Sequence, residues 1–291
     1  MKPEYAADTV LEELIKRSIE EDVSSGDHTS LALVPSHINQ DAVVVAKDSG
    51  ILAGIEVCLK VFSLFDPTVN VAVLKMDGDV VESGDVVVAI SGNARSILTM
   101  ERLVLNCMQR MSGIATKVSR LNKLLEGTKA KLLDTRKTTP GFRVLEKWAV
   151  RIGGGQNHRY GLFDMIMIKD NHIEYAGGIG PALDSVRNYL AKSDLDLRIE
   201  IETTNIDQVK EVLDWGKVDV IMLDNMTCAE MTKCVQLING ACQVEASGNI
   251  TEHNIAEVAQ TGVDFISMGA LTHSYKSLDL SLKAISNDNK D

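Results

Sequence analysis

Polar and charged side chains recur at the ends of six short apolar runs in the second half of the chain. These strand-end residues are Asp134, Arg136 and Lys137, then Lys169 and Asp170, then Glu200 and Glu202, then Asp224, then Ser247, Gly248 and Asn249, and finally Gly269. Helix-like segments separate most of the runs, as in a parallel sheet with crossover helices. Because the carboxyl ends of all strands of a β/α barrel meet at one mouth, the spacing predicts that these groups share one site.

Positive charge is concentrated around the first two runs. Residues 131–169 hold eight cations and three acids, in a chain whose formal net charge is −11. We interpret four of the cations as surface charges, namely Lys131, Arg143, Lys147 and Arg151. The four that we predict to contact a ligand are Arg136, Lys137, Arg159 and Lys169. Several cations at strand ends indicate an anionic ligand with more than one charged group.

Two carboxylates, Glu202 and Asp224, end adjacent runs. Proteins bind Mg²⁺ through one or two carboxylates together with substrate phosphates, so this pair suits that ion. Two alternatives stay open: the acids pair with Lys169 or Arg159 to balance charge, or Glu200 takes the place of Glu202.

Glycine-containing segments follow the last two runs. Ser247-Gly248-Asn249 and Met268-Gly269-Ala270 offer backbone N–H groups where β/α barrels commonly bind a phosphate. The residues alone therefore predict a barrel that binds a polyanion, with Mg²⁺ and a phosphate.

The loop Gly153–Arg159 is rich in glycine and is able to wrap an anion. It is neither a GxGxxG turn after a strand nor a Walker sequence, so it gives no support to a nucleotide cofactor. Its His158 is equally compatible with a structural role and with proton transfer or donation to a carboxylate. No Ser/His/Asp order or zinc-ligand spacing stands out.

The first half of the chain has a different pattern. Apolar spacing predicts helices over 8–21 and 55–64, and short strands separated by turn residues predict antiparallel pairing within 41–93. A strongly apolar helix is predicted over 95–126. It carries a separate polar stripe: Arg102, Asn106, Gln109 and Gly113.

Composition excludes several classes of protein. The chain has 291 residues, a pI near 5.1 and only 4% aromatic residues, which argues against binding to nucleic acids or anionic membranes. No apolar run approaches the roughly 20 residues that span a bilayer, and the first residues lack the apolar core of a signal peptide. We expect a soluble, cytoplasmic protein.

Particular motifs closely resemble the quinolinate phosphoribosyltransferase family, also called carboxylating nicotinate-nucleotide pyrophosphorylase. The segments that carry the resemblance are GDHTS (26–30), MERLVLNCMQRMSGIAT (100–116), DTRKTTPG (134–141), RIGGGQNHR (151–159), KDNH (169–172) and VEASGNI (244–250). They cover nearly the whole chain in the family's order. Gln156 and Asn249 depart from the commonest pattern, and we expect little effect because both positions depend mainly on backbone shape.

The resemblance implies a fold of class α/β with two domains. An N-terminal α+β open sandwich occupies 1–112 and is joined by the C-terminal tail 274–291. An incomplete, TIM-like β/α barrel occupies 113–273. The resemblance also implies a homodimer in which each barrel is completed by the partner's N-terminal domain.

The implied reaction joins quinolinate to phosphoribosyl pyrophosphate with Mg²⁺ and releases nicotinate mononucleotide, pyrophosphate and CO₂. By motif, the residues implied to hold quinolinate are Arg136, His158, Arg159 and Lys169, with Arg102 from the partner subunit. Lys137 is implied to lie near the pyrophosphate, and Glu202 and Asp224 near the ribose and Mg²⁺. The residues implied to bind the 5′-phosphate are Ser247, Gly248, Asn249 and Gly269. The residues implied to be catalytic are Lys137, Lys169, Glu202 and Asp224.

Four alternatives stay open at this point. One is the paralogous family linked to molybdenum uptake, which shares the barrel. Another is a transferase that uses nicotinate without decarboxylation, although one carboxylate needs fewer cations than this chain supplies. The third is a barrel that binds a phosphorylated metabolite without turnover. The last is an aldolase-type barrel with Lys137 or Lys169 as a Schiff base.

Overall fold

The computed structural model describes residues 2–285, and the strands within that range form three sheets. The helices are α1 (Asp8–Val23), α2 (His28–Leu33), α3 (Ile55–Phe65), α4 (Ala94–Lys123), α5 (Arg143–Ile152), α6 (Asp170–Ala176), α7 (Ile179–Ser193), α8 (Ile206–Trp215), α9 (Cys228–Ile238), α10 (Ile255–Gln260) and α11 (Ala270–His273). The strands are β1 (Asn39–Ala46), β2 (Gly50–Ile51), β3 (Asn70–Val73), β4 (Val80–Val81), β5 (Val86–Asn93), β6 (Lys131–Leu133), β7 (Ile166–Ile168), β8 (Ile199–Thr203), β9 (Val220–Asp224), β10 (Gln243–Ser247), β11 (Phe265–Ser267) and β12 (Leu280–Ala284).

The chain divides into two compact units. The first unit consists of the residues up to Ser119, the segment Thr138–Gly154 and the described residues from Leu271 onward. The second unit consists of Arg120–Lys137 and Gly155–Ala270. The domain boundaries that the resemblance implies stay predictions, and residues 286–291 of the implied tail lie outside the described residues.

The first unit is built on antiparallel strands, as the sequence predicts for this half. Its main sheet has the order β12-β1-β5-β3, and β2 pairs with β4 in a second sheet. β1 pairs with β5 on one side and with β12 on the other, so residues near the end of the chain complete the sheet that residues 39–93 begin.

The long helix α4 supplies much of the core of the first unit. Its fully buried side chains include Met100, Met108, Met111 and Ile114. The polar stripe divides in two along the helix. Arg102 is exposed, whereas Gln109 donates from Nε2 to the carbonyl of Leu280 at 2.7 Å and Gly113 is buried. The later half of the stripe, at Gln109 and Gly113, therefore packs against the C-terminal segment.

The second unit is an incomplete β/α barrel. Its six strands are all parallel, in the order β6-β11-β10-β9-β8-β7, so the barrel is open between β6 and β7. Strands β8, β9 and β10 are buried along most of their length. Only β9 is a continuous apolar run, whereas β8 and β10 alternate polar and apolar residues although both of their faces are largely buried. The helices α7, α8 and α9 connect consecutive strands, as predicted.

Two local predictions need correction. The second apolar run, predicted to end with Lys169 and Asp170, is shorter as a strand: β7 ends at Ile168, and Asp170 begins α6. Lys147 is not a surface charge, because its exposed fraction is 0% and every residue from Val144 to Val150 in α5 is buried. A helix that is buried on all sides carries no periodic signal that separates its charged residues from a solvated face.

Among the described residues, no helix is both long enough and apolar enough to cross a bilayer.

Gly113 lies where α4 packs so closely against other parts of the first unit that no side chain fits. A Cβ added there would overlap the carbonyl oxygen of Lys276 and lie 2.9 Å from Ser277 Cα. We therefore expect Gly113→Ala to lower the free energy of unfolding by about 1–3 kcal/mol, the usual cost of overpacking, in urea denaturation. The control is Lys123→Ala, an exposed position on the same helix, for which a change of about 0.5 kcal/mol or less is expected. An equal effect of both substitutions would contradict the close packing at Gly113.

Candidate active site

The carboxyl ends of the barrel strands bring most of the predicted site residues to one edge of the second unit. Arg136 and Lys137 follow β6, Lys169 follows β7, Asp224 ends β9, Ser247 ends β10 and Gly269 follows β11. The register places Ser247 directly beside Asp224 on the neighbouring strand. Arg102 is an exposed residue of the first unit, and its relation to this edge stays a prediction.

The buried carboxylate of Asp134 holds the loop that carries His158 and Arg159. Its Oδ2 accepts from Asn157 Nδ2 at 2.6 Å, and its Oδ1 accepts from the backbone N–H of His158 at 2.9 Å. Gln156 pairs with β6 through its backbone, donating to the carbonyl of Leu132 at 2.8 Å. The loop is thus attached to the open edge of β6. The sequence places Asp134 at a strand end but does not indicate this role.

Two guanidinium groups lie close to each other behind this loop. Arg159 is partly buried and donates from Nη1 to the carbonyl of Met165 at 3.1 Å. Burial lowers the pKa of Arg159, and the positive charge of Arg136 lowers it further, while Glu200 and Asp164 act in the opposite direction. Arg136 itself is exposed. Like charges held together in this way suit an anionic ligand, which would relieve their repulsion.

Lys169 is oriented by the start of α6. It is the N-cap of that helix, and its backbone N–H donates to His172 Nδ1 at 3.0 Å. The side chain is exposed. His172 therefore fixes the backbone from which Lys169 projects.

A pair of carboxylates lies near Lys169 at the mouth of the barrel. Glu202 is half-buried, and its pKa is raised mainly by burial and next by the negative charge of Asp224, while Lys169 opposes the shift. Glu200 is on the same face of β8, two residues deeper, and is fully buried. The acid closer to the mouth is therefore Glu202. Two acids that repel each other fit a divalent cation, which binds carboxylate oxygens.

The turns after β9 and β10 are linked through their asparagine side chains. Asn249 donates from Nδ2 to Asn225 Oδ1 at 2.9 Å, and Asn225 donates from Nδ2 to Asp224 Oδ2 at 2.7 Å. Asn249 has a φ of 49° and Gly248 a φ of 87°. Asparagine adopts this left-handed region more readily than most residues, so Asn249 fits a position at which the commonest pattern has glycine. Its side chain also connects the predicted phosphate-binding turn to Asp224.

Sequence reasoning missed a buried cluster in the interior of the second unit. His158 Nε2 lies 2.8 Å from Glu200 Oε2 and 3.6 Å from Glu245 Oε2, and the three side chains are at most 7% exposed. Burial and the charge of Glu200 raise the pKa of Glu245 well above its usual range. Glu245 is the middle residue of β10, a strand of alternating polar and apolar residues, so the sequence gives no sign that this carboxylate is buried.

The conformation at Gly248 yields a test of the proposed phosphate-binding turn. A Cβ there would overlap Asn225 Oδ1 and lie 2.8 Å from Asn225 N, so Gly248→Ala must displace the turn. We expect the KM for phosphoribosyl pyrophosphate to rise by about tenfold or more, the loss expected when hydrogen bonds to a charged group are broken.

Gly262→Ala is the matched control for this substitution. Gly262 has a φ of 89°, so an added Cβ brings similar backbone strain, but it only touches Val235 at 3.4 Å. The expected result is a comparable loss of stability with an unchanged KM. If both variants raised the KM equally, the turn would not be a phosphate site.

Comparison with known protein families gives matches to both parts of the chain. Residues 27–112 match the family described as "Quinolinate phosphoribosyl transferase, N-terminal domain", and residues 114–283 match its C-terminal domain.

Full-length relatives and solved structures agree with this result. The chain is 46% identical over 288 residues to "Quinolinate phosphoribosyltransferase [decarboxylating] 2b, mitochondrial" of Nicotiana tabacum, covering 94% of this chain and 82% of the relative. It is 41% identical to "Probable nicotinate-nucleotide pyrophosphorylase [carboxylating]" of Synechocystis sp., covering 96% and 94%. The crystal structure of NadC from Streptococcus pyogenes is similar with a TM-score of 0.90 at 39% identity, over 96% of this chain and 99% of that one.

Proposed function

The chain belongs to the quinolinate phosphoribosyltransferase family, and we propose from this membership and from its site the reaction that its barrel catalyses. The enzyme transfers the phosphoribosyl group of phosphoribosyl pyrophosphate to quinolinate with loss of CO₂. The products are nicotinate mononucleotide, pyrophosphate and CO₂, so the reaction belongs to NAD biosynthesis. The tobacco relative is named for this decarboxylating activity, and the Arabidopsis and Synechocystis relatives are named as nicotinate-nucleotide pyrophosphorylases.

The observation that carries this assignment to particular residues is the presence of two pairs of like charges at one end of the barrel. Arg136 and Arg159 suit the two carboxylates of quinolinate, and Lys169 adds a further cation near the mouth. Glu202 and Asp224 suit a cation bound together with the pyrophosphate. A ligand with both features is a dicarboxylate next to a pyrophosphate.

The role of the protein is to position and to stabilise charge. The pyridine nitrogen attacks C1 of the ribose while the bond from C1 to the pyrophosphate breaks, and positive charge develops on the sugar. Lys137, exposed after β6, is placed to neutralise the departing pyrophosphate. Once ribosylated, the ring nitrogen is cationic and stabilises the electron pair that stays on the adjacent ring carbon when CO₂ departs. A proton from water then takes the place of the lost carboxylate on that carbon. The reaction requires no protein nucleophile.

Ser247, Gly248, Asn249 and Gly269 are proposed to bind the 5′-phosphate. They lie at the ends of β10 and β11, a position at which β/α barrels commonly bind a phosphate. His158 is proposed to lie at the edge of the quinolinate site, next to Arg159.

Mg²⁺ is part of the proposal. The residues that would hold it are Glu202 and Asp224. The pKa of Glu202 is raised mainly by burial and next by the charge of Asp224, and a bound cation would offset both effects. When bound, Mg²⁺ supplies positive charge to the pyrophosphate.

A mass-spectrometric turnover assay tests the function. The purified protein is given phosphoribosyl pyrophosphate and Mg²⁺ with quinolinate or nicotinate in parallel. We expect nicotinate mononucleotide from quinolinate only, and labelled CO₂ when the 2-carboxyl group carries ¹³C. Product from nicotinate alone would overturn the substrate, and no product from either would favour the molybdenum-linked paralogue.

We further propose a cytoplasmic homodimer in which Arg102 reaches the partner's site. Arg102 is an exposed cation on α4, and the two carboxylates of quinolinate can bind one more cation. The tobacco and Arabidopsis relatives are named as mitochondrial and chloroplastic, so subcellular fractionation is the check on location.

Mixed dimers test the shared site. Arg102→Ala and Lys169→Ala are each expected to be nearly inactive at low quinolinate concentration. A purified heterodimer with one variant in each subunit has one intact site, so about half of the wild-type activity is expected. A verified heterodimer as inactive as either parent would show that Arg102 acts within its own subunit or not at all.

A further inference from the structure

The turns that follow β9 and β10 each contain an asparagine in the left-handed region of backbone conformation. Asn225 has a φ of 55° and Asn249 a φ of 49°. This region is unfavourable for residues other than glycine, and residues held there cluster at functional sites. Glycine would relieve the strain at both positions, so the two side chains require an explanation.

The side chain of Asn225 lies between a carboxylate and the neighbouring turn. Its Nδ2 donates to Asp224 Oδ2 at 2.7 Å, and its Oδ1 accepts from Asn249 Nδ2 at 2.9 Å. Because an ionised carboxylate only accepts, the amide group has one possible orientation, with Nδ2 toward Asp224. The backbone N–H of Asn225 donates to the carbonyl of Ser247 at 2.9 Å, which continues the pairing of β9 with β10. Both polar atoms of one amide group are therefore used, one toward each turn.

Asn225 orients a carboxylate that repulsion would otherwise displace. Asp224 lies close enough to Glu202 for its negative charge to raise the pKa of Glu202, and Lys169 acts on Glu202 in the opposite direction. Within residues 2–285, the bond from Asn225 is the one hydrogen bond that the Asp224 carboxylate accepts. Two neighbouring carboxylates move apart unless one is held or a cation binds both. The amide of Asn225 holds Asp224 in place before a cation binds.

The start of α10 anchors the other end of this chain of hydrogen bonds. Asn254, the N-cap of α10, donates from Nδ2 to the carbonyl of Asn249 at 3.2 Å. Its Oδ1 accepts the backbone N–H of Thr251 at 2.7 Å. The turn after β10 is thus held by Asn254 on one side and by Asn225 on the other.

We propose that Asn225 is a positioning residue that links the turn after β10 to the carboxylate of Asp224, so that a phosphate bound at the turn and a divalent cation bound at Asp224 stabilise each other. A phosphate orders Asn249, whose Nδ2 fixes the amide of Asn225 and with it the direction of Asp224. By thermodynamic linkage, the cation strengthens phosphate binding by the same factor. The inference rests on the proposed function, whose phosphoribosyl pyrophosphate carries a phosphate at one end and a pyrophosphate for the cation at the other.

Glycine substitutions remove the side chains without straining the backbone, because glycine adopts the left-handed region freely. Asn225→Gly removes both side-chain bonds of the link, whereas Asn249→Gly removes only the bond between the two turns. The matched control is Asn239→Gly, at an exposed asparagine with a φ of 45° that follows α9. Asn239 precedes β10, so it lies at the opposite end of that strand from Ser247.

Binding without turnover is the first readout. Phosphoribosyl pyrophosphate is titrated by calorimetry in the absence of quinolinate, with and without Mg²⁺, and the ratio of the two dissociation constants is called the Mg²⁺ gain. We expect the Mg²⁺ gain to fall about tenfold in Asn225→Gly and about threefold in Asn249→Gly, the usual range for the loss of one hydrogen bond. Asn239→Gly should keep the Mg²⁺ gain of wild type. A wild-type protein without any Mg²⁺ gain would overturn the link.

The double variant distinguishes a link from two independent effects. If both side chains act through one chain of bonds, the variant with Asn225→Gly and Asn249→Gly should have the Mg²⁺ gain of Asn225→Gly alone, within about twofold. Independent effects would multiply to a fall of about thirtyfold, and that result would overturn the link.

Ribose 5-phosphate, which has the phosphate but no pyrophosphate, reports on the turn itself. Its affinity without Mg²⁺ is expected to fall by about threefold or less in Asn225→Gly, because the backbone of the turn keeps its conformation. An Asn225→Gly that lost affinity for ribose 5-phosphate but kept the Mg²⁺ gain would show that the side chain only shapes the turn, and the link would be wrong.

These outcomes do not depend on turnover of quinolinate. If the Mg²⁺ gains followed the expected order but no nicotinate mononucleotide formed, the proposed function would fall while the link remained. If nicotinate mononucleotide formed and every variant had the Mg²⁺ gain of wild type, the link would fall while the proposed function remained. Should Asn225→Gly not fold, Asn249→Gly decides alone, since a wild-type Mg²⁺ gain in that variant would contradict the link.

Discussion

The contact between Asp134 and the loop after α5 is the interaction on which the proposed quinolinate site depends. The open edge of β6 has no neighbouring strand on that side, and the loop takes its place through backbone hydrogen bonds of Gln156. Asp134 then accepts two hydrogen bonds from residues 157 and 158, so the backbone leading into Arg159 has little freedom. The loop that carries Arg159 occupies the open edge of the incomplete barrel, where a complete barrel would have another strand.

Repulsion between like charges favours the binding of ligands of opposite charge at the mouth of the barrel. Arg136 lowers the pKa of Arg159, and Asp224 raises the pKa of Glu202. Each pair is kept together by elements whose own stability comes from buried apolar strands rather than from these charges. The bound substrates would remove both repulsions at once. The repulsion within each pair therefore favours binding of a dicarboxylate and of a pyrophosphate with its cation.

Much of the architecture could be predicted from the sequence, since α1, α3, α4 and the six barrel strands lie where periodicity and turn residues indicate. The predicted site residues of the barrel also fall at the strand ends. Features that depend on three-dimensional register escaped prediction. Glu245 is a carboxylate in a strand of alternating polar and apolar residues, and only its position in the folded sheet reveals Glu200 as its neighbour. Lys147 escaped because a helix buried on every side has no polar face to mark it. In each case the missing information is the identity of a neighbour distant in sequence.

Depth within the barrel separates two kinds of polar side chain that lie on the same strands. Glu202 and Ser247 are at the mouth and partly exposed, whereas Glu200 and Glu245 lie two residues deeper on β8 and β10 and are fully buried. Groups at the mouth exchange water for ligand in every turnover, so their charge is available for chemistry. Groups in the deeper layer keep the same partners throughout, and their desolvation is permanent. A residue in that layer acts on the substrate only through what it holds in place, and His158, which contacts both the deeper layer and Arg159, is the point at which the two layers meet.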